Sequence, residues 1–343
     1  AKCAFVSTNS ITQGEQVAPL WSYLKEQSVN INFAYRTFIW DSEVSEKAHV
    51  HCVIIGFNTN DESESKKVIY KPDNSKVSAE HINGYLLDAP DVFIFNQSKP
   101  VCAESPICRS GNQPIDGGFY LFTPEEKDEF IAKEPKSASY FRPWIGAEEF
   151  IKNKERWCLL LKDCPLKELA NMPLCLERLQ KVKEFRLASK RASTRKLADS
   201  PLKFQVETIP QSNYLVMPLT SSENRRYVPI GYLDKDIIPS NLVLVVSDAD
   251  LYHFGVLTSS CFMSWMRVVC GRLKSDYRIT KDNVFNNFIW PKANEKQKQN
   301  IAKSAQAILD ARAKYSENSL ANMYNPYRAI ITSANLDGIY RFI

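Results

Sequence analysis

The sequence predicts a mixed α/β protein with more than one domain. At roughly 150 residues per domain, a chain of 343 residues is long enough for two hydrophobic cores. Segments with strand patterns and segments with helical patterns alternate along the whole chain. With 44% hydrophobic and 24% charged residues, the composition is that of a soluble globular protein. No run approaches the ~18 consecutive apolar residues of a membrane span, so we expect no membrane partner.

The N-terminal part has the pattern of the end of an α/β sheet. Residues 3–9 predict a short buried strand and residues 10–24 a helix, and strands are predicted at residues 31–40 and 50–57. A doubly wound sheet needs about five strands or more, so this part is too short to be a whole domain. The polar stretch 58–66 predicts a loop or domain boundary. Because the chain opens on Ala1 without an initiator Met or a signal peptide, we expect a piece of a longer protein.

The remaining segments predict short strands, tight turns and longer helices. Residues 111–118 hold three glycines and one proline, which is typical of tight turns. Thr123 and Glu126 form a capping box, which predicts a helix that ends near Lys133. Further helices are predicted at residues 173–190, 259–270 and 295–314, and further strands at residues 214–217 and 242–246.

The cysteines indicate a reducing compartment. The nine cysteines are an odd number and are spread over the chain, which favours free thiols and a cytoplasmic location. Two pairs, Cys102 with Cys108 and Cys158 with Cys164, have a spacing wider than the usual zinc hooks. None of the four histidines is close to either pair in sequence, so we expect no metal site.

The charge is distributed unevenly along the chain. Residues 1–150 contain 14 Lys and Arg against 21 Asp and Glu, whereas residues 151–343 contain 30 against 18. Eight of these cations lie in residues 178–196, beside the single acid Glu184. Such a run is either a solvated helix face or a surface for phosphate groups, and the sequence leaves both interpretations open.

Common catalytic motifs are absent from the sequence. It has no G-x-G-x-x-G, no P-loop and no G-x-S-x-G motif, and the histidines show no diagnostic spacing from a Ser or Cys. The residues alone therefore predict a nucleic-acid-binding module without a visible catalytic centre.

Seven strings of the sequence, taken in order, carry a resemblance to a known family. They lie at residues 5–16, 36–40, 111–118, 155–159, 185–190, 225–232 and 271–278. Together they resemble the C-terminal half of the MmeI-like class I DNA methyltransferases, which are bifunctional type IIG restriction-modification enzymes. The resemblance extends from residue 3 to residue 324.

The resemblance implies an adenine-N6 DNA methyltransferase that uses S-adenosylmethionine and acts on double-stranded DNA. In that family the glycine-rich loop for the methyl donor and the Asn-Pro-Pro-Phe/Tyr motif should precede the strand of Phe5. We therefore expect the preceding methyltransferase part, often with a nuclease domain, to be a partner. No S-adenosylmethionine is expected on this chain, and the chain alone is expected to be inactive.

The same resemblance divides the chain into three parts. Residues 1–65 would be the last strands of a Rossmann-like methyltransferase sheet. Residues 66–232 would form a mixed α/β target-recognition domain, and residues 233–343 its C-terminal helical part.

The resemblance also suggests which side chains meet the DNA. Phe38 and Trp40 are candidates for stacking on an extruded adenine, although aromatics at alternating strand positions are also typical of a core. The net positive charge of residues 151–343, and not the resemblance, leads us to expect phosphate contacts from Lys181, Lys190, Arg191, Arg195, Arg272, Lys274 and Arg278.

Glu223 and Arg225 are the candidates for reading a base pair. On an extended backbone their side chains would point to the same side, where they could contact the cytosine and the guanine of one G·C pair. Family members resemble this arrangement in using a charged i, i+2 pair here. The alternative interpretation is a surface ion pair.

Two other functions compete with the methyltransferase hypothesis. One is a stand-alone DNA specificity subunit that serves a separate catalytic protein. The other is an RNA-binding module, which would need exposed aromatics among the cations. Residues 178–196 contain only Phe185, which weighs against RNA stacking.

Overall fold

The computed structural model describes residues 2–40, 50–59 and 66–327. The chain divides into two compact units. Unit 1 comprises Ala1–Ser105, Thr220–Glu223 and Ser260–Pro291, and unit 2 comprises Pro106–Leu219, Asn224–Ser259 and Lys292–Ile343. Most of the predicted boundary at residues 58–66, and the whole tail after Tyr327, lie outside the described residues.

The strands are short apart from those near the N-terminus. In chain order they are β1 (Lys2–Thr8), β2 (Asn30–Trp40), β3 (Val50–Asn58), β4 (Lys67–Tyr70), β5 (Lys76–Ala79), β6 (Cys108–Ser110), β7 (Leu121–Phe122), β8 (Phe141–Ile145), β9 (Trp157–Leu159), β10 (Tyr214–Pro218), β11 (Thr220–Ser221), β12 (Gly231–Leu233), β13 (Ile238–Pro239), β14 (Val243–Val246), β15 (Gly271–Leu273) and β16 (Asp276–Arg278).

The α-helices lie mostly in the second half of the chain. They are α1 (Val17–Glu26), α2 (Pro124–Lys133), α3 (Ala147–Lys152), α4 (Leu166–Leu169), α5 (Pro173–Leu187), α6 (Ala192–Lys196), α7 (Leu251–Leu257), α8 (Ser260–Val269), α9 (Glu295–Ala313) and α10 (Leu320–Met323). Short 3-10 helices occupy Asn9–Thr12, Gly14–Gln16, Pro135–Tyr140 and Leu197–Asp199, and a π-helical turn occupies Lys281–Phe285. No described helix is both long and apolar enough to cross a membrane.

Unit 1 is built on a five-stranded sheet with the order β1-β3-β2-β4-β5. Strand β3 is antiparallel to both β1 and β2, and β4 runs parallel to β2. The core includes Trp21 on α1, Ala34 on β2 and Val53 on β3. The alternation of apolar residues on β2 and β3 therefore forms one face that α1 covers.

Strand β1 differs from its prediction. It was predicted as a buried strand, but it is the edge strand, and six of its seven residues are exposed. Its apolar side chains Phe5 and Val6 are 62% and 53% exposed. The apolar sequence predicted burial, but among the described residues the only strand beside β1 is β3.

The helix predicted at residues 10–24 is also shorter than expected. Two 3-10 turns replace its first part, and α1 begins only at Val17. Gly14 has φ +62°, a left-handed conformation that a right-handed helix cannot contain. The helical pattern was therefore correct only after this glycine.

Segments distant in sequence complete unit 1. Strand β11 pairs with β16, and β16 forms a hairpin with β15. The amides of Asn286 and Asn287 donate to the carbonyl oxygens of Gln97 (2.7 Å) and Phe95 (3.0 Å). These two carbonyls lie outside any strand, and the amides give them the hydrogen-bond partners that buried backbone groups need. The bonds thereby hold the irregular segment around residues 95–97 against the π-helical turn at Lys281–Phe285.

Unit 2 contains two four-stranded sheets, with the orders β12-β10-β14-β6 and β13-β8-β9-β7. Every residue of β10 and of β14 is buried, which explains their continuous apolar sequences. Helix α9 packs on α7, and its Arg312 donates to the carbonyl of Ile230. The capping box of Thr123 is confirmed, and α5, α8 and α9 lie where long helices were predicted.

One buried arginine organises the loops around α5. Arg186 has no exposed surface and donates hydrogen bonds to six carbonyl oxygens. Two belong to the glycine-rich turn before β7, and the others belong to residues 197, 200, 201 and 203. Burial lowers the pKa of this guanidinium below its ordinary value. The carbonyls supply the stabilisation that water would otherwise give to the charge.

We expect Arg186→Met to destabilise unit 2 by about 3 kcal/mol or more, because several buried carbonyls would lose a charged donor. Arg186→Lys should recover only a small part, since an ammonium lacks the planar fork of donors. Lys183→Met, at an exposed position of the same helix, is the control and should change stability by under about 0.5 kcal/mol. Chemical denaturation followed by fluorescence measures all three. Equal stability of the Arg186→Met variant and the unmodified chain would contradict this role.

Candidate functional site

Unit 1 contains a cavity of about 740 Å³, a size typical of ligand sites. Its walls come from the C-terminal end of β2, from residues 85–87 and from the β15–β16 hairpin with the preceding residues of α8. Of the residues that the structure describes, four cations line it, Arg36, Arg267, Arg272 and Lys274, against the single acid Glu223. The cavity therefore combines a positive charge with the half-buried ring of Phe38.

A close approach of two glycines fixes one wall of this cavity. A Cβ built on Gly14 would lie 2.9 Å from the Cα of Gly271, closer than real Cβ contacts. Gly14 also has φ +62°, so both its conformation and its surroundings exclude a side chain. The 3-10 turn that follows β1 can therefore contact the backbone at the start of β15. This contact places the hairpin with Arg272 beside the cavity.

Arg272 is oriented by its own hairpin. Its guanidinium carbon lies 4.0 Å from the ring centroid of Tyr277, its cross-strand partner. Nη1 donates to the carbonyl of Ser275 at 2.7 Å and lies 3.6 Å from a carboxylate oxygen of Glu223. Lys274, at the tip, has φ +59° and is exposed. Two of the predicted phosphate contacts thus line one cavity.

The aromatic candidates of β2 lie beside an irregular part of the strand. The pairing with β3 passes from Tyr35–Ile54 to Phe38–Cys52, which leaves Arg36 and Thr37 opposite one residue. The ring centroids of Phe38 and Trp40 are 6.3 Å apart. Trp40 is 52% exposed, so it is not a core residue.

The backbone at Glu223 is not extended as the base-reading hypothesis assumed. Strand β11 ends at Ser221, and Glu223 and Asn224 form a turn. The Glu223 amide donates to a carboxylate oxygen of Asp276 at 3.3 Å. The condition of an extended backbone is therefore not met at Glu223 and Arg225, because the strand is only two residues long. Arg225 is half-buried and belongs to unit 2.

The other predicted phosphate contacts differ in their surroundings. Lys181, Lys190, Arg191 and Arg195 are exposed on unit 2. Lys181 pairs with Glu177 at 2.6 Å, and Arg195 donates to the carbonyls of Ser189 and Lys190. In unit 1, Arg278 donates to the hydroxyl of Thr220 at 3.3 Å.

Sequence reasoning missed one feature of this cavity and one of unit 2. Arg36 lies within one of the family strings, but nothing local to it predicts a cavity. Arg186 belongs to the same basic run as Lys190, yet it is wholly buried, and charge density alone could not separate the two.

The cysteines offer no metal-binding arrangement in the part of the chain that the structure describes. No group of three or more His, Cys, Asp or Glu side chains is positioned for a metal there. Cys158 and Cys164 are both buried, and burial raises the pKa of the Cys158 thiol, which disfavours the thiolate that a metal requires.

Comparison with known protein families accounts for most of the chain. Residues 88–292 match the family model described as the MmeI target recognition domain. The chain belongs to the MmeI family. Residues 1–71 match the DNA-methyltransferase domain of MmeI, and residues 293–330 match the MmeI C-terminal domain. Arg36 and Phe38 thus fall in the methyltransferase match and Arg272 in the target-recognition match.

Two relatives extend the comparison to whole proteins. The chain is 39% identical over 344 residues to DNA methyltransferase A of Bacillus subtilis (strain 168), covering 99% of this chain and 39% of the relative. The structure of the type IIL restriction-modification enzyme MmeI in complex with DNA matches with a TM-score of 0.94 and 45% identity. That match covers 99% of this chain and 46% of that one. The chain therefore spans less than half the length of these two relatives.

We expect Gly14→Ala to destabilise unit 1 by about 2 kcal/mol, because alanine is strained at positive φ and its Cβ would press on backbone atoms. Gly271→Ala is a matched control. Its Cβ would meet Gly14 Cα at an ordinary 3.8 Å, and its φ is not positive. Thermal unfolding should show a loss for the first variant and almost none for the second. Similar losses in both would mean that the approach of Gly14 is not a structural constraint.

Proposed function

We propose that this chain is the DNA-recognition part of an adenine-N6 DNA methyltransferase of a restriction-modification system. It holds duplex DNA while a target adenine leaves the helix and receives a methyl group from S-adenosylmethionine. The observation that carries this proposal is the match of residues 88–292 to a target recognition domain, within a fold close to that of MmeI. The cationic cavity with an aromatic wall supports it, since extruded nucleotides are held by such groups.

The methyl donor is assigned to another part of the proposed enzyme. The sequence lacks a glycine-rich loop of the G-x-G-x-x-G type, which supports this assignment. Among the described residues, the outer edge of β1 has no strand partner, and unpaired edges accept additional strands. This supports the proposal that another part of the methyltransferase domain pairs there. We propose that the 343-residue chain alone transfers no methyl group. Methylation of duplex DNA by the purified chain would contradict this.

Two alternative functions are not favoured. A stand-alone specificity subunit would have no need of residues 1–71, which match a DNA-methyltransferase domain. An RNA-binding module would present several exposed aromatics in its basic run, whereas residues 178–196 have only Phe185. We propose a cytoplasmic location, which the free state of all nine cysteines supports.

Within this function, Phe38 and Trp40 supply an aromatic surface for the extruded base. Phe38 lines the cavity, and Trp40 leaves half of its surface open beside it. Base–aromatic stacking contributes about 1–3 kcal/mol per base, enough to offset part of the cost of unstacking.

Phosphate binding by the exposed cations of unit 2 gives the first test. We expect Lys190→Ala with Arg191→Ala to weaken binding of the chain to all duplex sequences and to flatten the dependence of log K on log salt by about two. The control is Lys152→Ala with Lys154→Ala, which removes two exposed cations that already pair with Glu148. Fluorescence anisotropy at several salt concentrations measures both variants. An unchanged slope for the Lys190→Ala, Arg191→Ala chain would show that residues 178–196 form a solvated helix face and do not bind phosphate.

Glu223 and Arg225 remain our proposal for base reading, now with Glu223 on a turn. The side chain of Glu223 is 44% exposed, so its carboxylate can still accept a hydrogen bond from cytosine N4. We expect Glu223→Lys with Arg225→Asp, made in the longer enzyme, to move the preference to the opposite orientation of one base pair. Mapping of methylated sites measures this. Retained activity with an unaltered recognition sequence would show that these residues do not read a base.

A further inference from the structure

The cationic cavity of unit 1 has an electrostatic imbalance. Among the described residues, four Lys and Arg side chains line it, and Glu223 is the only acid. Like charges around a concave, partly desolvated space repel one another and raise the local concentration of anions. The cavity is therefore suited to an anionic group that none of its described residues supplies.

Arg36 is one of the cations that line the cavity, and no described carboxylate balances its charge. Among the described residues, no carboxylate lies within 4.0 Å of its guanidinium. Burial, and then the charge of Arg272, lower the pKa of Arg36 below its ordinary value. The side chain is nevertheless accessible to solvent, so a ligand can reach it. An anion bound here would stabilise the charge of Arg36.

Arg272 lines the same cavity, and part of its guanidinium is available for a ligand. Its contacts to Ser275 and Glu223 both use Nη1, so the N–H groups of Nε and Nη2 have no acceptor among the described residues. Because Tyr277 and the hairpin already fix the guanidinium plane, little side-chain entropy is lost when an anion binds. Guanidinium forks bind phosphate oxygens in bidentate geometry.

The position of Phe38 identifies the kind of anion. Arg36 lies two residues before Phe38 on β2, and both line the cavity. An aromatic face beside two guanidinium groups matches a nucleotide, with its base on the ring and its phosphate on the cations. The volume of about 740 Å³ is sufficient for one nucleotide.

We propose that Arg36 and Arg272 form a two-guanidinium clamp for the phosphate of the nucleotide whose base stacks on Phe38. This proposal rests on the proposed function and adds to it. It assigns the positioning of the extruded nucleotide to a pair of arginines from segments more than 200 residues apart. The clamp holds the phosphate while the base enters the cavity, and it takes no part in methyl transfer itself.

The test compares deoxyadenosine 5′-monophosphate with deoxyadenosine, each titrated into the purified chain and followed by calorimetry or NMR. We expect the nucleotide to bind at least tenfold more tightly than the nucleoside. Arg36→Gln and Arg272→Gln should each remove most of this difference and leave nucleoside binding unchanged. Arg36→Lys should retain part of it, since an ammonium keeps the charge without the fork. Inorganic phosphate should compete with the nucleotide and not with the nucleoside.

The control separates this clamp from general DNA affinity. The Lys190→Ala, Arg191→Ala chain should bind the nucleotide as the unmodified chain does, even where its affinity for duplex DNA falls. Equal binding of nucleotide and nucleoside by the unmodified chain, or a preserved preference in a folded Arg36→Gln chain, would overturn the clamp. Failure of the proposed function would appear separately, as absence of salt-dependent binding to duplex DNA with the nucleotide preference intact.

Discussion

The approach of Gly14 to Gly271 is the constraint on which the candidate site depends. At 2.9 Å from a built Cβ to a backbone atom, no other residue type fits at Gly14 without a shift of one segment. The contact joins the turn after the first strand to a hairpin more than 250 residues later. Because the hairpin carries Arg272 and Lys274, a local backbone requirement determines where two cations lie. The side chains of Asn286 and Asn287, which follow the hairpin in the chain, donate to carbonyl oxygens at residues 95–97. They hold the C-terminal end of the segment Ser260–Pro291 within unit 1.

Arginine has two contrasting roles in this chain. Arg186 and Arg312 are buried and donate to carbonyl or hydroxyl oxygens of their own unit, so their charges stabilise loops. Arg36 and Arg272 line a cavity, and Nε and Nη2 of Arg272 donate to no acceptor among the described residues. The first role satisfies polar groups that folding would otherwise leave unpaired, whereas the second leaves charge available for a ligand.

The proposed function assigns different tasks to different cations. Exposed side chains such as Lys190 act through long-range attraction, which salt screens and which carries no sequence information. The cavity side chains act at short range in a partly desolvated space, where charge and geometry both matter. Glu223 can serve both the cavity and the DNA surface, because its carboxylate is near Arg272 and still partly exposed. Under the proposed function, this division makes so much positive charge compatible with selective recognition.

The sequence by itself determined the features that depend on neighbouring residues. The capping box at Thr123, the helices α5, α8 and α9, and the central strands β10 and β14 follow from caps and apolar periodicity, which are local. The family strings determined the relationship to MmeI. The tertiary structure alone decided that β1 is exposed, that Arg186 is buried while Lys190 is not, and that Arg36 shares a cavity with Arg272. Burial and pairing depend on which distant segments pack together, and no spacing within a single segment records that.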